Sequence, residues 1–167
     1  IAARVETSGS ATGIWAYVLD DAADGDLTVS NGEGAAIIAT TPDGDATGIW
    51  AYNDGDGDTV IGNNGLVVAI AGGDYGDAVG IWATASGDGL VSVTNTGAIY
   101  AETTGSNGNA IGIYAEAAGY GSIAVTNGAD GLIAAYADGN DGDAFGVAAI
   151  MNGTGTITVT NYGTIAN

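Results

Sequence analysis

A four-residue phrase recurs along this chain at nearly constant spacing. "GIWA" occurs at Gly13–Ala16, Gly48–Ala51 and Gly80–Ala83, and its variants "GIYA" and "GVAA" begin at Gly112 and Gly146. The five glycines that begin these phrases are 35, 32, 32 and 34 residues apart, so the repeat unit has about 33 residues. Repeats of this length are typical of solenoids, in which each unit buries its apolar face against its neighbours.

Composition and short-range periodicity favour a β-solenoid over a helical one. Glycine accounts for 31 of the 167 residues, which is unfavourable for helices. Each unit instead contains three short segments with the period of two that is typical of strands. We expect glycines between these strands to supply the positive φ angles that turn the chain. Residues 1–167 are therefore predicted to form one all-β domain, a parallel β-helix of about five coils with three strands each. The residues predicted to face inward are Ile14, Ile49, Ile81, Ile113 and Val147 in the first strands, with Ala16, Ala51, Ala83, Ala115 and Ala149 beside them, Val29, Ile61, Val93, Val125 and Val159 in the second strands, and Ile1, Ile37, Val67, Ile99, Ile133 and Ile165 in the third.

All three tryptophans of the chain lie in the repeated phrase, between an isoleucine and an alanine that are predicted to face inward. The period of two turns each tryptophan outward, and neighbouring coils of a β-helix lie about 4.8 Å apart. The residues predicted to form one aromatic column on the outer surface are Trp15, Trp50, Trp82 and Tyr114. Either ring stacking stabilises the solenoid, or the column is an exposed strip that binds a glycan, a loop or a neighbouring molecule. The third alternative is the reverse facing, with the rings in the core.

Each unit also carries an asparagine six residues after a glycine. Stacked asparagine amides can hydrogen-bond along a cross-β stack, so we predict a structural ladder. Its members are Asn31, Asn63, Asn95, Asn127 and Asn161. Hydroxyl pairs before this column, at Thr28/Ser30, Ser92/Thr94 and Thr158/Thr160, resemble the flat threonine surfaces of ice-binding solenoids, although Val60/Gly62 and Ala124 interrupt them.

Acidic residues recur in the predicted turns. One column consists of Ser10, Asp45, Asp77, Asn109 and Asp143, and the loop "DGDGD" contains Asp54, Asp56 and Asp58. Carboxylates one coil apart repel each other by about 1 kcal/mol in water, and a bound Ca²⁺ would reverse the sign of that interaction. The six aspartates are therefore candidate calcium ligands. The loop lacks the glutamate that completes an EF-hand, so solvated Asp-Gly turns are the alternative, and the fold requires no cofactor.

The charge of the chain restricts its partners. Twenty acidic residues and a single basic one, Arg4, give a net charge of −19, which argues against nucleic acids and anionic membrane surfaces as partners. No segment approaches the roughly 18 apolar residues of a membrane-spanning helix, so we expect no membrane insertion. The lack of His, Cys and Lys excludes Ser–His–Asp triads, cysteine nucleophiles and histidine-ligated metals. The acids lie in repeated turns without a singular pair, so we expect no enzyme.

Units such as "AVGIWATASGDGLVSVTNTGAIYA" (residues 78–101) resemble the repeats of large bacterial surface proteins of the autotransporter and adhesin type. Their passenger regions carry strings of "GIxA…G…VTNxGxI". The resemblance covers essentially the whole chain and is specific to a style of repeat, not to a binding activity. It implies a right-handed parallel β-helix, export, and a filamentous role outside the cell or on a bacterial cell surface.

Both ends of the sequence match the interior of the repeat. The chain begins with "IAARVETSG" and ends with "NYGTIAN", in which Ile1 and Ile165 have the same third-strand position. Neither end has a capping pattern, so we expect flanking repeats in a longer chain or end-to-end stacking of copies in a filament. The resulting expectation is a non-enzymatic structural protein of an extracellular or cell-surface fibre or adhesin. A carbohydrate-binding or ice-binding module is the alternative.

Overall fold

The structure is a computed structural model that describes residues 1–19 and 25–167. These residues form strands joined by turns, without a helix. The strands are β1 (Ala2–Arg4), β2 (Ala11–Val18), β3 (Leu27–Asn31), β4 (Ala36–Thr41), β5 (Ala46–Asn53), β6 (Thr59–Asn63), β7 (Leu66–Ala71), β8 (Ala78–Ala85), β9 (Val91–Asn95), β10 (Ala98–Thr103), β11 (Ala110–Ala117), β12 (Ile123–Asn127), β13 (Leu132–Ala137), β14 (Ala144–Met151), β15 (Ile157–Asn161) and β16 (Thr164–Ala166). From β2 to β13 their lengths repeat as eight, five and six residues, so each coil contributes three strands.

The strands form three parallel sheets that run along the stack. Sheet A has six strands in the order β1-β4-β7-β10-β13-β16, sheet B has five in the order β14-β11-β8-β5-β2, and sheet C has five in the order β15-β12-β9-β6-β3. Equivalent residues of successive units pair directly, as Ile99 does with Val67 and Ile133. The predicted all-β parallel solenoid of about five coils is confirmed, whereas its handedness stays a prediction.

The interior contains the apolar residues that the period of two predicts. Ile81, Val93 and Ile99, one from each sheet of the same coil, are 0 % exposed. Together with their equivalents they form a core of isoleucine and valine with small alanines beside them. A second cluster consists of alanines from sheets A and B, including Ala69 and Ala78. Only small side chains fit there, because the two sheets approach each other closely.

The glycines that turn the chain lie between strands, as expected, and the positive φ angles among the described residues belong to them, as at Gly44 and Gly73. The glycines of the repeated phrase have another role, because they lie inside the strands of sheet B. A Cβ atom built on Gly80 would collide with the side chain of Ile99 and with the carbonyl oxygen of Gly112. The repeated glycine therefore permits close approach of sheets A and B and does not turn the chain.

Residues 1–19 and 25–167 contain no helix that is long and apolar enough to cross a membrane.

Candidate functional site

The aromatic residues of the repeated phrase form one column on the outer side of sheet B. The rings of Trp15 and Trp50 stack with centroids 5.8 Å apart, and those of Trp50 and Trp82 stack at 5.1 Å. Tyr114 continues the column with its ring centroid 5.1 Å from that of Trp82, but its plane is tilted by 61°. Tyr17 and Tyr52 stack beside the column at 5.0 Å.

This stacking decides which parts of the rings a ligand can reach. The planes of Trp15 and Trp50 differ by 19° and those of Trp50 and Trp82 by 17°. The faces of the inner rings are therefore covered by the neighbouring rings. Trp15 at the end of the column is 68 % exposed, whereas Trp50 and Trp82 are partly buried. A molecule beside the column therefore meets ring edges, and the outer face of Trp15 is the flat aromatic surface that the column presents.

The polar atoms of the column are partly satisfied within the solenoid. Trp82 Nε1 donates to Thr84 Oγ1 at 3.1 Å, and the Tyr114 hydroxyl donates to Glu116 Oε2 at 3.0 Å. Burial, followed by this bond to Glu116, raises the pKa of Tyr114. Trp50 Nε1 is buried and has no hydrogen-bond partner among the described residues. These contacts favour the structural interpretation of the column, because two of its four polar groups bond to side chains of the solenoid itself.

A groove with a volume of about 630 Å³ runs beside the aromatic column. Beside it, Ala78 and Ile81 are both buried although they are three residues apart, so the alternation of inward and outward residues is interrupted between them. Three columns of residues line the groove. One side is formed by Trp50, Trp82 and Tyr114, the floor by Thr12, Thr47, Val79, Ile111 and Phe145, and the other side by Ser10, Asp45, Asp77, Asn109 and Asp143. These columns were predicted from the sequence as separate features, and the glycine between the two inward residues was the available signal for the interrupted alternation.

The acidic column of this groove connects the coils through backbone hydrogen bonds. Asp45 Oδ1 accepts the N–H of Asp77 at 3.0 Å, and Asp77 Oδ1 accepts the N–H of Asn109 at 2.7 Å. Asn109 Oδ1 in turn accepts the N–H of Asp143 at 3.1 Å. Each side chain thus holds the turn of the next coil, and an asparagine can do so as well as an aspartate. These bonds explain the column without a bound cation.

The three aspartates of the "DGDGD" loop have different partners. Asp54 Oδ1 accepts the hydroxyl of Tyr52 at 3.1 Å, Asp56 Oδ1 accepts the N–H of Asp88 at 3.3 Å, and Asp58 Oδ1 accepts the N–H of Leu90 at 2.8 Å. Within the described part of the chain, no three acidic side chains converge as a metal site requires. Calcium binding by either set of aspartates stays a prediction.

The asparagines lie in one continuous ladder inside the corner that follows sheet C. Each amide nitrogen donates to the Oδ1 atom of the next asparagine at 2.8 Å, from Asn31 through Asn161. The inner amides also donate to backbone carbonyls, as Asn95 does to Leu132 O at 3.2 Å. All donors point toward the C-terminal coil, so the ladder has a direction.

The outward positions of sheet C carry the threonine and serine pairs. The row Thr28, Val60, Ser92, Ala124 and Thr158 is in register across the sheet, as is the row Ser30, Gly62, Thr94, Thr126 and Thr160. Hydroxyls therefore alternate with apolar side chains in the first row, and the array is not a regular surface of threonines.

Comparisons with protein families, with curated proteins and with solved structures found no match to this chain. The likeness to autotransporter and adhesin repeats thus stays a prediction that rests on the repeated phrases alone.

Proposed function

We propose that this chain is a non-enzymatic structural solenoid of an extracellular or cell-surface fibre or adhesin, and that further coils stack on its ends. The additional coil belongs either to the same chain or to a second copy. In this arrangement the two ends of the stack are the contact surfaces of the solenoid, and the acidic turns lie along its sides.

The main observation in its support is that the outer coils present the same columns that the inner coils bury. Ile157 and Val159 of the last coil are 45 % and 47 % exposed, whereas their equivalents Ile123 and Val125 are each 1 % exposed. Covering such residues with a further coil removes apolar surface from water and pairs the edge strands. The direction of the asparagine ladder favours head-to-tail stacking, which does not close on itself.

Sedimentation velocity over a concentration series, with electron microscopy of the same samples, tests this proposal. We expect concentration-dependent, end-to-end association of the unmodified chain. Val159→Asp should weaken it because the charge lies on the coil face, whereas Thr158→Asp, the matched change on the outer side of the same strand, should leave it unchanged. A monomer at every concentration, or equal effects of both substitutions, would contradict the proposal.

A carbohydrate-binding role is the second candidate because of the groove beside the aromatic column. Its apolar floor and its row of hydrogen-bond acceptors suit a neutral glycan, although the inner rings offer edges instead of faces. A glycan array distinguishes this role from a scaffold that contacts further coils only. An ice-recrystallisation assay tests the ice-binding alternative in the same way.

A further inference from the structure

The groove beside the aromatic column combines an acidic side with an apolar floor. On four consecutive coils, its acidic side consists of Asp45, Asp77, Asn109 and Asp143. Among the described residues, none that lines the groove carries a positive charge, and the single basic side chain of the sequence, Arg4, lines a different cavity. The groove thus has a negative charge that a cationic ligand would neutralise.

The hydrogen bonds of this acidic row leave one oxygen of each inner carboxylate for a ligand. The Oδ1 atoms of Asp45 and Asp77 accept the N–H of the next coil, and Asp77 Oδ1 also accepts the amide of Asn109 at 3.2 Å. Within the described part of the chain, no hydrogen bond uses the Oδ2 atom of either aspartate. An ammonium group supplies three donors to such acceptors. Because the bonds to Oδ1 already fix the side chains, the row is preorganised for binding.

The spacing of the row restricts the type of cationic ligand. Neighbouring coils place equivalent residues about 4.8 Å apart, so that Asp45 and Asp143 are separated by three coil spacings, or about 14.4 Å. Ammonium groups joined by three methylene groups are about 5 Å apart in an extended chain, because each bond of about 1.5 Å advances it by about 1.25 Å. Lysine side chains on one face of an extended peptide repeat at about 6.8 Å instead. The row therefore matches a linear oligoamine better than a basic peptide.

The floor of the groove suits the methylene groups of such a chain. Val79 and Ile111 are direct partners on β8 and β11, and both line the groove. An alkyl segment placed on them removes apolar surface from water, whereas a peptide would bring backbone N–H and C=O groups to the same floor without partners. A metal ion is a poorer match, because its ligands must converge and these carboxylates lie at least one coil spacing apart.

We propose that the groove binds a linear oligoamine, with its ammonium groups along the acidic row and its methylene groups on the apolar floor. Asp45, Asp77 and Asp143 each face one ammonium group, and the remaining position lies beside Asn109. This site lies on the side of the solenoid, so it is independent of the proposed end-to-end contact. A neutral glycan, the other candidate ligand of the groove, makes no use of the negative charge.

Isothermal titration calorimetry of the full chain with norspermine, at low ionic strength, tests the site. Norspermine is a linear tetra-amine with three methylene groups between successive nitrogens. The matched ligand 1,11-diaminoundecane has the same chain length but lacks the two inner ammonium groups, and cellotetraose represents a neutral glycan. We expect norspermine to bind about fivefold more tightly than the diamine, because an inner ammonium group then faces Asp77.

Three substitutions identify the row as the binding site. Asp77→Asn removes a negative charge from the groove and keeps an acceptor for the N–H of Asn109. Its control is Asp88→Asn, which removes the same charge outside the groove, where Asp88 Oδ1 accepts the N–H of Tyr120 at 3.0 Å. We expect Asp77→Asn to weaken norspermine binding about fivefold and Asp88→Asn less than about twofold. Asn109→Asp completes the row of carboxylates and should strengthen binding about fivefold.

Circular dichroism and thermal melting monitor the fold of each variant. Equal weakening by Asp77→Asn and Asp88→Asn would overturn the proposal, because norspermine would then act only as a counterion of the acidic surface. Binding of cellotetraose without binding of norspermine would overturn it in favour of a neutral glycan. The absence of binding by norspermine to both the unmodified chain and Asn109→Asp would also overturn it, and would leave the end-to-end contact unaffected.

Discussion

Replacing Asn95 with alanine removes one member from the middle of the asparagine ladder. Asn95 is 0 % exposed, and its Nδ2 donates to Asn127 Oδ1 at 2.8 Å and to Leu132 O at 3.2 Å. Its Oδ1 accepts Asn63 Nδ2 at 2.8 Å. The substitution therefore removes a buried hydrogen bond from Asn63 on one neighbouring coil and from Asn127 on the other.

The size of the effect follows from these partners. A buried polar group left without its hydrogen bond costs about 1–3 kcal/mol. Asn63 Nδ2 keeps its 3.3 Å bond to Ala98 O, so its cost lies at the low end, whereas Asn127 Oδ1 loses its ladder donor. We expect the free energy of unfolding to fall by about 3 kcal/mol. Asn161→Ala is the matched control, because Asn161 is exposed and Asn127 Nδ2 retains Gly131 O and Thr164 O. Its cost should be about 1 kcal/mol or less.

Urea unfolding of both variants, monitored by far-ultraviolet circular dichroism, measures the difference. The slope of the transition should stay unchanged, so that a shift of the midpoint reports stability. Equal midpoints for Asn95→Ala and Asn161→Ala would refute the reasoning, because only Asn95→Ala leaves an asparagine on each neighbouring coil without its hydrogen bond. A loss below about 1 kcal/mol for Asn95→Ala would show that water replaces the ladder bonds.

Four further predictions concern the core, the turns, calcium and a tyrosine. Val93→Asp and Ile113→Asp should each unfold the chain or lower its melting temperature strongly, because both sites are 0 % exposed and an unpaired charge would be buried. Asp77→Ala should cost about 1 kcal/mol of unfolding free energy through loss of the acceptor for Asn109, whereas Asp77→Asn should not. EDTA and added Ca²⁺ distinguish the two interpretations of the aspartates: bound calcium predicts a melting temperature that EDTA lowers and Ca²⁺ restores, whereas solvated turns predict identical melting curves. A hydrogen bond to Glu102, followed by burial, raises the pKa of Tyr100 from 10 to about 12. The contribution of Tyr100 to stability is therefore complete below pH 10 and is lost as the pH rises through about 12, and Tyr100→Phe should remove this pH dependence in high-pH unfolding curves.

The facing of residues along each strand could be predicted from the sequence, because it depends only on neighbours in the chain. The period of two in Ile81-Trp82-Ala83 places the first and last of these residues in the core, where both are 0 % exposed. The repeat length then aligns successive units, which is why the three sheets were predictable as well.

Features that depend on distances between sheets were not predictable in this way. The sequence marks Gly80 as repeated, but the collision that excludes a side chain involves Ile99 of another sheet. The same holds for the acid column, whose spacing suggested either repulsion or a cation. Its hydrogen bonds to the backbone of the next coil depend on how the turns overlap, and a single sequence does not contain that overlap.

The distribution of charge and pairing groups gives the solenoid different properties along and across its axis. In aspartates such as Asp45 and Asp77, one carboxylate oxygen accepts a backbone N–H of the next coil, and the carboxylate lies at the side of the stack. With a net charge of −19, two solenoids side by side repel each other over about 8–10 Å at physiological salt. The coil faces, in contrast, present apolar residues and unpaired strand edges at both ends, where contact forms hydrogen bonds. The proposed end-to-end contact is therefore favoured over lateral bundling.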